Sequence, residues 1–142
     1  MSRVCVSGGF DPAHIGHLRY IQHASKYGEV IVILNSDAWL KRKKGYIFMP
    51  FDQRKEMLLE FRSVSDVILA EDSDNTVCKS LIKIRPDFFA KGGDRGPDNT
   101  PEQEVCGHLG IEMLWGIGGD NKLASSSTLV SRSWDELQEY LG

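Results

Sequence analysis

The first stretch able to do chemistry is Ser7-Gly8-Gly9-Phe10-Asp11-Pro12-Ala13-His14-Ile15-Gly16-His17. It opens on two glycines and ends on two histidines three residues apart, with Gly16 between them. Glycines let backbone amides approach a ligand closely, and a helix starting where the loop ends adds its positive N-terminal pole, which suits phosphate. Residues at i and i+3 of a helix project to the same side, so His14 and His17 can both face a phosphate held over that N-terminus. The loop lacks the Gly-Lys-Ser/Thr ending of one common phosphate loop and the Gly-x-Gly-x-x-Gly spacing of the other. The second chemical feature is Lys41-Arg42-Lys43-Lys44. With 17 Lys+Arg against 20 Asp+Glu, the formal charge is −3, so the chain has no general attraction for nucleic acid or an anionic membrane. Any polyanion must be caught by that local basic cluster.

Short β-rich runs alternate with helical patterns, which predicts a parallel sheet with crossover helices. The expected strands are Arg3 to Ser7, Val30 to Leu34, Asp66 to Leu69, Asp87 to Ala90 and Ile111 to Trp115. Runs such as Val30-Ile31-Val32-Ile33-Leu34 are apolar on both faces, as buried parallel strands require. Helical stripes are expected over residues 15–26 (Leu18, Ile21, Ala24), 52–62 (Met57, Leu58, Phe61), 75–84 (Val77, Leu81, Ile84) and 101–109 (Val105, Leu109). A helical tail carries Trp134, Leu137 and Leu141. The order reads βαβαβαβαβ plus that tail. In such sheets ligands sit outside the carboxyl ends of the strands, and the histidine loop follows the first strand directly.

At 142 residues the expectation is one domain, 1–142, large enough for a proper core. The three cysteines, Cys5, Cys78 and Cys106, are odd in number and widely spaced, which fits neither a disulfide framework nor a zinc quartet and points to a reducing cytoplasm. The longest aliphatic run, Val30 to Leu34, is far shorter than the roughly 20 residues needed to cross a bilayer. Asp11 precedes any apolar signal region, so no targeting peptide is expected.

Gly9-Phe10-Asp11-x-x-His14-Ile15-Gly16-His17 resembles the signature of the cytidylyltransferase-like nucleotidyltransferases, with their HIGH-type motif. The resemblance continues in order through Asn35-Ser36-Asp37, Lys41-Arg42-Lys43-Lys44-Gly45, Pro50-x-x-Gln53-Arg54, Lys91-Gly92-Gly93-Asp94 and Ser125-Ser126-Ser127. Within the family, the heptose 1-phosphate adenylyltransferases are most similar, followed by glycerol 3-phosphate cytidylyltransferases. The resemblance implies a Rossmann-like, doubly wound α/β fold on a five-stranded parallel sheet. It also implies a reaction: ATP or CTP plus a phosphorylated sugar or alcohol gives a nucleoside diphosphate derivative and pyrophosphate.

The same resemblance implies the roles. His14 and His17 donate to the triphosphate and to the transition state, while Gly9 and Phe10 place backbone against the phosphates. Lys44, with Lys41, bridges the α-phosphate and the attacking phosphate. Asp11 and Asp37 bind the acceptor, and Arg54 is a further phosphate contact. Lys91, Gly92 and Asp94 belong to the loop at base and ribose; Ser125, Ser126 and Ser127 offer hydroxyls and amides to the β- and γ-phosphates. Mg²⁺ is expected on the substrate phosphates and water, with no dedicated protein ligands. Small members of the family are commonly dimers, which implies a homodimer.

Blander readings exist for several positions. Asp37 can simply cap the helix that follows, and Arg54 can form an ion pair on its helix face. Arg42 and Lys43 can be a solvated face. The serine triplet can be an N-cap, which is compatible with phosphate binding, and Lys91 to Asp94 can be a turn. His23 and His108 have only the bland reading. Trp39, Tyr46, Phe48 and Phe51 gather around the basic loop and either shield the acceptor site or line a dimer contact. The chain departs from the heptose subgroup after Gly45, where Tyr46-Ile47-Phe48-Met49-Pro50 stands in place of an Arg-Pro pair. It also lacks, between Gly116 and Lys122, the arginine of cytidylyl relatives. Other acceptor classes within the family are alcohol phosphates and flavin mononucleotide. The non-enzymatic alternative is a nucleotide-binding regulatory module without turnover.

Overall fold

A computed structural model describes residues 2–92, 100–119 and 125–142. The elements run β1 (Arg3–Gly8), α1 (Ile15–Ala24), β2 (Glu29–Leu34), α2 (Asp37–Lys44), α3 (Phe51–Leu59), β3 (Val64–Leu69), α4 (Cys78–Ile84), β4 (Phe88–Gly92), α5 (Pro101–Leu109), β5 (Glu112–Ile117) and α6 (Ser126–Leu141). All five strands are parallel, in the order β3-β2-β1-β4-β5. The five expected strands are present, with ends shifted by a residue or two. The chain fills one side of β1 with β2 and β3, then crosses to the other side with β4 and β5. The carboxyl ends of β1 and β4 therefore diverge at a topological switch point, where such sheets hold ligands.

Alternation along the strands sends side chains to two layers. On one face Val4, Val6, Val30, Val32 and Leu34 pack with Ile21 and Ala24 of α1 and Leu58 of α3. On the other, Cys5, Ile33 and Phe89 pack with Leu81 of α4 and Cys106 of α5. The three cysteines are buried and unbridged. Burial in this apolar layer pushes the Cys5 thiol up to about 12 and the Cys106 thiol to about 11, so both stay protonated and inert. Met57, expected on the core stripe of its helix, is half exposed, and Leu58 takes the buried position.

One element differs from the sequence expectation. The basic run is no loop: Asp37–Lys44 forms α2, capped by Ser36, whose hydroxyl accepts from Trp39 N, and closed by Gly45 in the left-handed region at φ 84°. Ala38, Trp39 and Leu40 are consecutive rather than spaced by three or four, so the segment shows no apolar stripe. Its helicity comes from strong helix formers between two good caps, with four cations in the last turn at the negative pole of the dipole.

Candidate active site

The histidine loop fixes its own geometry. His14 is the N-cap of α1: its Nδ1 accepts from Gly16 N at 3.1 Å, while His17 Nδ1 reaches back to accept from His14 N at 3.2 Å. This is a capping box built from two imidazoles. An Nδ1 that accepts is unprotonated, so a neutral ring carries its proton on Nε2 and donates from there. The rings stack with centroids 3.8 Å apart, and Phe10 packs against His17 at 4.6 Å. Burial, with help from the neighbouring His14 and Lys44 charges, holds His17 down at about 3. At neutral pH His17 is an uncharged donor.

Phe10 is buried in the left-handed region at φ 48°, a conformation that costs a non-glycine residue about 1–3 kcal/mol and persists only where packing enforces it. Its ring occupies the space beside Gly8, where an added Cβ would come within 3.1 Å of Phe10 Cε2. A Cβ on Gly9 would meet Leu40 Cδ2 of α2 at 2.8 Å. The two glycines thus let the loop thread between its own phenylalanine and α2.

Two residues expected to touch substrate are committed elsewhere. The Asp11 carboxylate is fully buried and accepts from Phe48 N and Met49 N, each at 2.6 Å. It pins the Tyr46–Pro50 segment, the stretch that departs from the heptose subgroup. Arg54 is also buried: Nε donates to Met49 O, Nη1 to Gly9 O and Asn35 O, and Nη2 to Asp37 Oδ1 at 2.6 Å. Both side chains are held by protein partners, and the reason is shared. Each side chain finds backbone partners from segments distant in sequence, and a buried charge must be matched by such partners. Arg54 ties the histidine loop, the end of β2 and the start of α2 together. Asp37 keeps an exposed edge, and Ser36, not Asp37, caps α2.

The basic helix divides its labour. Arg42 donates to Asp72 O and Asn75 Oδ1, so it braces the loop after β3. Asp72 in turn accepts from Asn35 Nδ2, Ser36 N and Ser36 Oγ. Lys44 is half-buried; burial lowers it from its ordinary value, Asp11 opposes that, and Arg54 adds to it. Lys41 is exposed and lines neither of the cavities described next. Lys43 lines both of them, a position the sequence left as readily a solvated face.

A cavity of about 410 Å³ opens at the switch point between β1 and β4. Gly8, Asn35, Trp39, Lys43, Lys91 and Gly92 line it, together with Tyr20, Asn75, Thr76 and Glu102, four residues that no sequence motif singled out. Lys91 Nζ lies 4.9 Å from the Phe89 ring centroid. Asp94 lies outside the described residues. A second cavity of about 420 Å³ lies between the end of α2 and α6, with Lys43, Lys44, Tyr46, Ser127 and Trp134 among its walls. Of the serine triplet, Ser125 Oγ caps α6 by accepting from Thr128 N, and Ser126 Oγ donates to Pro12 O, anchoring α6 to the histidine loop. Ser127 faces the second cavity. His23 Nδ1 accepts from Gly118 N at 2.8 Å, so α1 also holds the chain leaving β5.

Two stacked histidines at a helix N-terminus, near lysines and a sheet switch point, define an α/β domain with the kind of site that suits phosphate. The cytidylyltransferase-like family profile matches residues 5–132. Bifunctional protein HldE of Yersinia enterocolitica is 36% identical over 131 residues, 90% of this chain and 25% of that protein. FAD synthase of Pyrococcus abyssi is 33% identical over 113 residues, 78% of this chain and 76% of that one. The solved structure of the lipopolysaccharide core biosynthesis protein from Thermoplasma volcanium superposes with a TM-score of 0.68 at 30% identity, covering 82% of this chain and 94% of that one. The chain belongs to the cytidylyltransferase-like family, a family of nucleotidyltransferases. It spans about a quarter of the length of the bifunctional relatives. No helix among the described residues is long and apolar enough to cross a membrane.

Proposed function

We propose that this domain, 1–142, transfers a nucleotidyl group from ATP or CTP to the phosphate of a phosphorylated sugar, of the heptose 1-phosphate kind, releasing pyrophosphate. An acceptor phosphate oxygen attacks the α-phosphorus of the donor, a new P–O bond forms, and the bond from that phosphorus to the bridging oxygen of the leaving pyrophosphate breaks. The attacking phosphate has a second pKa of about 6 and is largely ionised at neutral pH, so no protein nucleophile or strong base is required. What the reaction needs is alignment of two polyanions and stabilisation of the charge that develops.

The observation that carries this reading is the pair of imidazoles locked by their own capping box, each with Nδ1 accepting and Nε2 as the donor. His14 and His17 donate to donor phosphate oxygens over the N-terminus of α1. Lys44, with Lys43 beside it, lies between donor and acceptor phosphates, and Lys91 and Gly92 serve the base and ribose. Ser127 and the first amides of α6 serve the terminal phosphates. The donor set suits an ion carried by substrate: Asp11 has both oxygens bonded, and Asp37 Oδ1 is taken by Arg54. Magnesium bound on the triphosphate and water would neutralise charge on the leaving pyrophosphate.

A second reading, flavin mononucleotide as acceptor, is favoured by similarity to the FAD synthase of Ferroglobus placidus, 29% identical over 93% of this chain and 88% of its own. The decisive experiment mixes the protein with ATP or CTP, Mg²⁺ and a panel of sugar phosphates, glycerol 3-phosphate and flavin mononucleotide, and measures pyrophosphate. Release with a sugar phosphate supports the main reading. Release with flavin mononucleotide alone replaces it by the second, and nucleotide binding without release in any pair leaves a regulatory module. We place the protein in the cytoplasm as a homodimer, which sedimentation at micromolar concentration tests.

A further inference from the structure

Helix α6 stands apart from both core layers. Ser126 is its one buried residue, and every residue from Ser131 to Gly142 is exposed. A solvated helix of about three turns is marginal in water, because most helical stability in proteins comes from packing an apolar face. α6 carries such a face. Val130, Trp134, Leu137 and Leu141 follow one another at spacings of four, three and four residues, the pattern of a two-helix seam. Ser131, Ser133, Gln138 and Tyr140 flank that seam, and none is charged. At 3.6 residues per turn, Arg132, Asp135, Glu136 and Glu139 all fall on the opposite side of the helix.

This layout selects among occupants. Helices that lie on anionic membranes carry Lys and Arg on their polar face, whereas α6 sets one Arg against three acids. A strongly charged protein partner would find no opposite charge beside the seam. A second copy of α6 needs none: it brings the same apolar residues between the same uncharged flanks, with its acids turned away. The size also fits. Trp134 is 60% exposed, Leu137 48%, Tyr140 85% and Leu141 72%. Together they offer roughly 500 Å² per protomer, or about 1,000 Å² for a two-fold pair, where specific interfaces begin.

We infer that α6 is a dimerisation helix, packed antiparallel against α6 of a second copy about a two-fold axis. The orientation follows from where the domain lies. Each α6 leaves its own domain at its N-terminal end, so a parallel pair would crowd both domains at one end of helices only about 8–10 Å apart. An antiparallel pair carries them to opposite ends. Trp134 then faces the partner's Leu137, and Val130 faces the partner's Leu141, which closes the apolar end of the cleft beside Tyr46. The inference deepens the homodimer proposed above by naming its surface, and it does not depend on which acceptor the enzyme uses.

Sedimentation velocity of the full chain across the micromolar range, with three variants, tests it. Leu137→Asp would bury two unpaired carboxylates at the pair, so self-association should weaken about a hundredfold or more. Trp134→Ala should weaken it about tenfold. Glu136→Lys, on the charged face, should leave it unchanged. Leu137 is half exposed in the single chain, so the melting temperature of dilute Leu137→Asp should match that of dilute wild type. A second readout is tryptic cleavage after Arg132, which should slow with rising concentration in the wild type and stay fast in Leu137→Asp. A wild-type dimer that Leu137→Asp leaves intact overturns the α6 assignment alone and puts the homodimer on another face. A wild type that stays monomeric across the range overturns both the assignment and the homodimer, while pyrophosphate release judges nucleotidyl transfer separately.

Discussion

Replacing Arg54 distinguishes a scaffold arginine from a phosphate ligand. In Arg54→Met the aliphatic stem is roughly kept and the guanidinium is lost, so Gly9 O, Asn35 O and Met49 O lose their donors and Asp37 loses its partner. One buried and two part-buried carbonyls at about 1 kcal/mol each, plus up to about 1 kcal/mol for an ion pair whose carboxylate is partly exposed, give about 3–4 kcal/mol. That agrees with the about 3–5 kcal/mol seen when one partner of a buried pair is removed. In a domain of this size each kcal/mol moves the midpoint by roughly 3–4 °C, so the melting temperature should fall by roughly 10–15 °C. Arg54→Lys should recover less than half of this, because one ammonium cannot meet four acceptors arranged around a planar fork. Urea denaturation followed by circular dichroism gives the free energy, and pyrophosphate release at saturating substrate gives the rate. A stability loss below about 1 kcal/mol combined with a large rise in substrate KM would refute the scaffold role and return Arg54 to the phosphates.

Three further outcomes are expected. Asp11→Asn turns one acceptor towards a backbone N–H with an amide donor, so it should cost about 1.5–3 kcal/mol and expose the Tyr46–Pro50 segment to limited proteolysis. His17 is held at about 3 in the folded protein against about 6.5 unfolded. As pH falls from about 6.5 towards 3, the unfolded state takes up a proton that the folded state refuses, so stability should drop by a few kcal/mol across that window and stay flat above it. Nitrogen NMR of the ring should show the neutral Nε2–H form throughout pH 5–8, and a titration near 6.5 would contradict the capping box. Lys44→Met should slow turnover by about 10²–10³-fold with unchanged or slightly higher stability, since it removes charge stabilisation from the reaction and an ammonium whose burial is costly.

His17→Ala shows where sequence and structure part. Read from the motif, His17 faces phosphate and its removal affects only turnover. In the folded loop its Nδ1 also satisfies the orphan N–H of His14, so the variant should lose about 1 kcal/mol of stability as well. The motif carried the residue type and the spacing. It did not carry the second partner, which exists only once α1 has formed.

The strands were legible because most are short β-rich runs between breakers, and their alternation with helical patterns points to a parallel sheet. The histidine loop was legible because its position after β1 follows from strand order alone. Helix α2 was not, since its three apolar residues are adjacent and its stability rests on caps and dipole rather than a stripe. Lys43 could not be told from Arg42 in sequence. One turn of helix directs Lys43 to two cavities and Arg42 to Asp72 and Asn75.

Sequence by itself determined the class of fold, the phosphate-binding loop and the basic cluster, because these depend on local periodicity and on residue types within a few positions of each other. Tertiary structure decided the fates of Asp11 and Arg54, the shared position of Lys43 and the cleft at Trp134. Those depend on which backbone carbonyls and amides arrive from elsewhere: Asp11 meets residues 37 and 38 positions away, and Arg54 meets Gly9 at a separation of 45. A buried charge takes whatever partners the fold delivers, and no pattern along the chain encodes them.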